Sequence, residues 1–128
     1  MINGFEKETS ELSEYERLIL LPGMVKGLET KIGKENSITA SKAIQKLRLN
    51  GYKVTPARFR KVVHHIRVNG LVPLLLATTK GYHVATSIHE AIDFVESLDQ
   101  RMNSIMMVRD SIDYQAKQAM LKKRNINN

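Results

Sequence analysis

The run Thr55–Gly70, TPARFRKVVHHIRVNG, carries Arg58, Arg60, Lys61 and Arg67 together with His64 and His65, and no carboxylate. Cations at this density suit phosphates, because each neutralised phosphate releases condensed counterions. A guanidinium can also grip a guanine edge with two hydrogen bonds. Ordinary surface helices interleave Glu with Lys for local pairing, so the missing acids weigh against a merely solvated face. As a helix, the run turns Phe59, Val62, Val63 and Ile66 inward. Ala57, Lys61 and His64 then lie on the opposite face, with Arg58, Arg60, His65 and Arg67 flanking it.

Other residues fit the same chemistry. Thr55 and Ala57 are small enough to let the front of this helix approach a surface closely. Thr39 begins a preceding helix whose first N–H groups suit a phosphate, and Lys42 and Lys46 sit on its outer side. Thr78, Thr79 and Lys80 occupy the tip of a hairpin. Arg58 and Lys61, near the helix start, are the expected base contacts. Arg60, His64 and Arg67 are the expected phosphate contacts.

Catalytic and metal chemistry have no comparable constellation. His64, His65, His83 and His89 show no metal-ligand spacing, and adjacent helical histidines point about 100° apart. There is no Cys, hence no disulfide framework, zinc finger or thiol nucleophile. No Gly-rich phosphate loop, GxSxG or paired catalytic carboxylates are present. Met102, Met106, Met107 and Met120 suit helix packing, and Asp93, Glu96 and Asp99 a solvated face. The expectation is a non-enzyme without metal or cofactor.

The chain has 128 residues and a net charge of +7. Residues 1–21 hold five Glu against Lys7 and Arg17; residues 22–86 hold twelve Lys or Arg against Glu29 and Glu35; residues 87–128 hold six of each sign. A basic centre between acidic and neutral flanks is the footprint of a polyanion binder. The polar, acidic N-terminus is unlike a signal peptide, and the longest apolar run, Leu71–Ala77, is too short to span a bilayer. A cytoplasmic protein with no membrane partner is expected.

The elements that must position these residues follow from local signals. Pro22-Gly23 interrupts an apolar segment and opens a first helix bearing Met24, Val25, Leu28 and Ile32, with Gly33 as its C-terminal cap. Thr39 caps a second helix that Asn50-Gly51 stops. Thr55-Pro56 starts the third, 56–69, closed by Asn69-Gly70. Val72–Thr78 and Tyr82–Thr86 form a hairpin in which Gly81 supplies a positive φ. Ser87-x-x-Glu90 is a capping box for a helix from 88 to about 122. Along it Val95, Leu98, Met102, Ile105, Ile112, Ala116 and Ala119 make a 3-4 seam, interrupted by Arg109.

Helix, turn, helix and hairpin, in that order, resemble the small winged helix-turn-helix proteins of phages and prophages. Ile38-Thr39, Arg60, Ile66-Arg67, Gly70 and Gly81-Tyr82 carry the likeness, which covers about residues 37–106. The run Val72-Pro73-Leu74-Leu75-Leu76 departs from it, being more apolar than a freely solvated wing requires. The expected fold is α+β and mainly helical: a winged helix-turn-helix with a two-stranded wing and a long C-terminal helix. The expected divisions are a mobile acidic tail over 1–13, a winged-helix domain over 14–86, a packing or dimerisation helix over 87–122 and a tail over 123–128. The resemblance implies sequence-specific binding of double-stranded DNA by a regulator of a phage or mobile element, in the host cytoplasm, with a homodimer through the C-terminal helix. The alternative is a winged-helix module that binds a protein partner or serves replication.

Overall fold

The computed structural model describes residues 11–127, with side chains to Arg124. Residues 1–10, most of the expected tail, lie outside the described residues. The chain divides into two compact units, Met1–Ala91 and Ile92–Asn128. Over the described residues the protein is α+β and mainly helical, with four α-helices and one two-stranded antiparallel sheet.

The first unit opens on a reciprocal cap. The Ser13 N–H donates to Glu16 Oε1 at 2.8 Å, and the Glu16 N–H donates to Ser13 Oγ at 3.2 Å. This is a capping box, and it starts helical structure at Glu14. A π-helical turn, Glu16–Leu20, leads directly into α1, Leu21–Leu28. Pro22 was expected to interrupt the apolar segment and to open the first helix; it does stand in the first turn of α1, but the helical path runs into it without a break. It lacks an N–H, and its ring crowds the carbonyl four residues back. The preceding turn widens instead, so that the Leu21 N–H bonds Glu16 O.

The first helix ends at Leu28, earlier than the expected cap at Gly33. The next residues have other partners: Val84 N–H donates to Lys31 O at 2.7 Å, and Gly33 N–H donates to Val84 O at 3.0 Å. The second and third helices are α2, Ala40–Leu49, and α3, Pro56–Val68. Thr39 Oγ1 and Thr55 Oγ1 cap them by accepting the Lys42 and Arg58 N–H groups, each at 3.2 Å. Both helices close with the paired bonds of a Schellman motif, Tyr52 N–H to Leu47 O and Leu71 N–H to Ile66 O, each at 3.0 Å.

The hairpin is shorter than the sequence suggests: β1 is Leu75–Thr78 and β2 is Gly81–Val84. Leu74 adopts φ 58° after Pro73, which makes a turn and delays the strand. The register pairs Leu75 with Val84 and Thr78 with Gly81. Two strands alone are marginal, and β2 gains isolated bridges on residues before α2, Ile38 to Tyr82 and Ile32 to Val84. The Ile38 bridge brings its backbone against Gly81, where a Cβ would lie only 2.8 Å from the Thr39 nitrogen and closer still to the Ile38 carbonyl. Gly81 also has φ 114°, so both space and conformation exclude a side chain.

The core joins Leu20, Met24 and Leu28 to Ile44, Phe59, Val62, Val63, Ile66, Val72 and Leu75. Leu12 and Tyr15 pack against it, so the described end of the expected tail belongs to the fold. The described part of the second unit, residues 92–127, lies within α4, Ile88–Asn127, a helix of 40 residues. It runs through the expected tail at 123–128 as far as Asn127. Lys122, Lys123 and Arg124 favour that extension, because cations stabilise the negative end of a helix dipole. Among the described residues no helix is long and apolar enough to cross a membrane.

Candidate nucleic-acid interface

The apolar face of α3 is fully committed to the core, with Phe59, Val62, Val63 and Ile66 each at most 2% exposed. The opposite side forms the floor of a concavity of about 570 Å³. Ala57, Arg60 and His64 are exposed there, and Arg58, Lys61 and Arg67 line it half-buried. Tyr82 of β2 forms a wall, its ring 5.9 Å from that of Phe59 in an edge-on contact. The hairpin is thereby held beside α3.

One carboxylate lies among these cations, and the sequence reading missed it. Glu16 is buried, and its two oxygens take Arg58 Nε at 3.0 Å and Lys61 Nζ at 2.9 Å. Arg58 is held further: Nη1 donates to Lys53 O at 3.1 Å, and the guanidinium lies 5.4 Å from the centre of the Tyr15 ring. The Tyr15 hydroxyl in turn accepts the Lys53 N–H at 2.8 Å. Arg58 and Lys61 were expected to reach for bases. Instead their side chains are only 34% and 24% exposed, and both point at Glu16. The local signal that marks Glu16 is the Ser13-x-x-Glu16 capping box.

Burial on its own would raise the Glu16 carboxyl. The Ser13 N–H, the Lys61 ammonium and the Arg58 guanidinium outweigh it and hold the group at about 2, against 4.5 ordinarily. Glu16 is therefore ionised at neutral pH. Among the described residues, four permanent cations share the concavity with this one carboxylate, a surplus of positive charge that suits an anionic ligand.

The other expected contacts are dispersed. Arg67 lines the concavity while its Nε donates to Leu75 O at 3.4 Å. Thr39 and Thr55 act as helix caps, and Lys42 is exposed on the first turn of α2. Lys80 is exposed in the hairpin turn, where its N–H donates to Thr78 Oγ1 at 3.2 Å. Lys46 does not face the α3 concavity. It lines a separate groove between α1 and α2, with Lys26 and Lys31, over Met24, Leu28, Leu47 and Phe59.

Behind the hairpin, His83 is 1% exposed, and its Nε2 lies 2.9 Å from Glu90 Oε2. Glu90 also accepts the Thr86 N–H at 3.0 Å and donates its own N–H to Ser87 Oγ at 3.1 Å. The capping box at Ser87 thus forms with its return bond shifted by one residue. Hydrogen bonds from His83 and Thr86 keep the Glu90 carboxyl below its usual value. This histidine fastens β2 to the first turn of α4. Among the described residues no group of three or more His, Cys, Asp or Glu could hold a metal ion. No protein-family model matches this chain, nor does any curated protein or solved structure.

Proposed function

We propose that the first unit is a winged helix that binds double-stranded DNA with α3 and acts as a sequence-specific transcriptional regulator of phage or mobile-element type. The observation that carries this is the concave face of α3, with Arg60 and His64 exposed on it and, among the described residues, one carboxylate to four permanent cations. The order α1, α2, α3, β1, β2 supports it, since a helix-turn-helix followed by a hairpin presents its second helix to the major groove. Arg60 and His64 make the contacts with DNA. Arg58 and Lys61, tied to Glu16, supply local field and fix the helix in place.

Duplex binding measured over a salt series tests this. Each phosphate contact contributes a slope of about −0.9 in log affinity against log salt. Arg60→Ala is expected to flatten the slope by about one unit on any sequence if Arg60 meets a phosphate. If it reads a base, the loss is about 1–3 kcal/mol and confined to the preferred site. Absence of duplex binding at low salt, or an Arg60→Ala protein indistinguishable from wild type on every sequence, refutes the assignment. A protein-binding role is the second reading, favoured by the α1–α2 groove with its apolar floor beneath Lys26, Lys31 and Lys46.

A further inference from the structure

The second unit leaves a long apolar seam in water. Along α4, Val95, Met102, Ile105, Met106, Val108 and Ile112 are all more than half exposed, and Leu98 is 36% exposed. At roughly 100 Å² of exposed surface each, these seven residues would bring about 1,400 Å² from two chains, within the ~1,200–2,000 Å² of specific interfaces. Val95, Leu98, Met102, Ile105 and Ile112 keep the 3-4 spacing with which helices pair, Arg109 standing between the last two, and Met106 and Val108 flank that seam.

The charge along the helix selects the orientation of that pairing. Asp93, Glu96 and Asp99 fall in the first turns of the unit, ahead of Arg101 in the sequence. Lys117, Lys122, Lys123 and Arg124 fall at the far end, and no acid follows Asp113. A parallel pair would set like blocks side by side and stack Arg109 on Arg109 within the seam. An antiparallel pair sets acidic blocks against basic ones and opposes the helix dipoles favourably.

From this pattern we infer that two copies of the chain pair through α4 as an antiparallel coiled coil, centred near Met107. That centre lies beside the most apolar stretch of the helix, Ile105–Val108. It places Val95 level with Ala119 of the second copy, Leu98 with Ala116 and Met102 with Ile112, so that large side chains at each end meet small ones. Arg109 then meets Ile105 and escapes its own copy. Asp99 comes level with the turn of Asp113, where Lys117 already lies 2.9 Å from the Asp113 carboxylate. The seam overlaps over its whole length, and the two copies of Ala91 come to stand roughly 50 Å apart, at 1.5 Å of rise per residue. The pairing is independent of any DNA role.

The chain has no Cys, so single cysteines report the geometry in the full-length protein. Leu98→Cys mixed with Ala116→Cys is expected to give a disulfide-linked dimer in at least tenfold excess over either variant alone. Leu98→Cys linking to itself would show a parallel pair and overturn the inference. A dimer by sedimentation without the mixed cross-link would overturn this register, and a monomer at tens of micromolar would overturn the pairing altogether. Ile105→Glu is expected to yield a monomer with an unchanged near-ultraviolet spectrum of the first unit. A persisting dimer in that variant counts against the seam.

Discussion

Replacing Glu16 by Gln keeps the shape of the side chain and most of the cap on the Ser13 N–H but removes the charge that faces Arg58 and Lys61. The carboxyl stands at about 2 in the folded chain against 4.5 ordinarily. At about 1.4 kcal/mol per unit, that difference is worth roughly 3 kcal/mol of stability. Because the folded value is the lower one, this stability is fully present above pH 4.5. It declines as the pH falls toward 2 and is absent below it. Both cations keep partial access to water, so they are not left buried and unpaired in the variant, and the expected loss at pH 7 is about 2–3 kcal/mol. For a domain of this size that lowers Tm by roughly 10–20 °C. Urea unfolding of wild type and Glu16→Gln, followed by near-ultraviolet circular dichroism at several pH values, measures the gap. It should be widest at pH 6–7 and close as the pH approaches 2. A gap below about 1 kcal/mol at pH 7, or one independent of pH, refutes the assignment of Glu16 as a charge clamp.

Two glycines give opposite expectations. Gly81→Ala forces a Cβ onto the Ile38 backbone at φ 114°, so it should cost about 2–4 kcal/mol and be read as a lowered urea midpoint. Gly27→Ala lies in α1 with nothing outside its own helix within 4 Å of the added Cβ; it should stabilise by about 0.5–1 kcal/mol through helix propensity, and a loss would refute the open space beside Gly27 in the α1–α2 groove.

Helices α2 and α3 were legible because their signals are local. Thr39, Thr55-Pro56, Asn50-Gly51 and Asn69-Gly70 each act within a few residues, and each end falls within a residue or two of the expected place. What escaped was long-range. The residues after α1 read as the last turn of a helix because Ile32 continues its spacing, yet they serve as backbone partners of β2. Pro22 read as an interruption that opens a new helix; it does sit in the first turn of α1, but a wider turn before it keeps the helical path continuous. The Glu16 capping box is visible in sequence, but its second role depends on Arg58 and Lys61, 42 and 45 residues away. Periodicity placed those cations on an open face; only packing decides that a buried carboxylate waits there.

That clamp changes which residues can serve the proposed function. To read a base, Arg58 or Lys61 would have to give up its bond to Glu16, leaving the buried carboxylate to the other cation and the Ser13 N–H. That bond is part of the roughly 3 kcal/mol by which the clamp holds the carboxylate ionised, and its loss offsets much of the ~1–3 kcal/mol that a good base contact returns in discrimination. Kept in place, the two cations contribute field without spending side-chain entropy at the moment of binding, since both are already fixed. Discrimination between sequences then falls to the side chains that α3 leaves exposed, Arg60 and His64, with Ala57 giving the close approach. Glu16 serves both ends: it joins the N-terminal segment to α3, and it lowers the positive charge of the concavity. A regulator profits from that reduction, because non-specific DNA affinity rises with every phosphate neutralised, whereas specificity depends on the few contacts that distinguish one site from the rest.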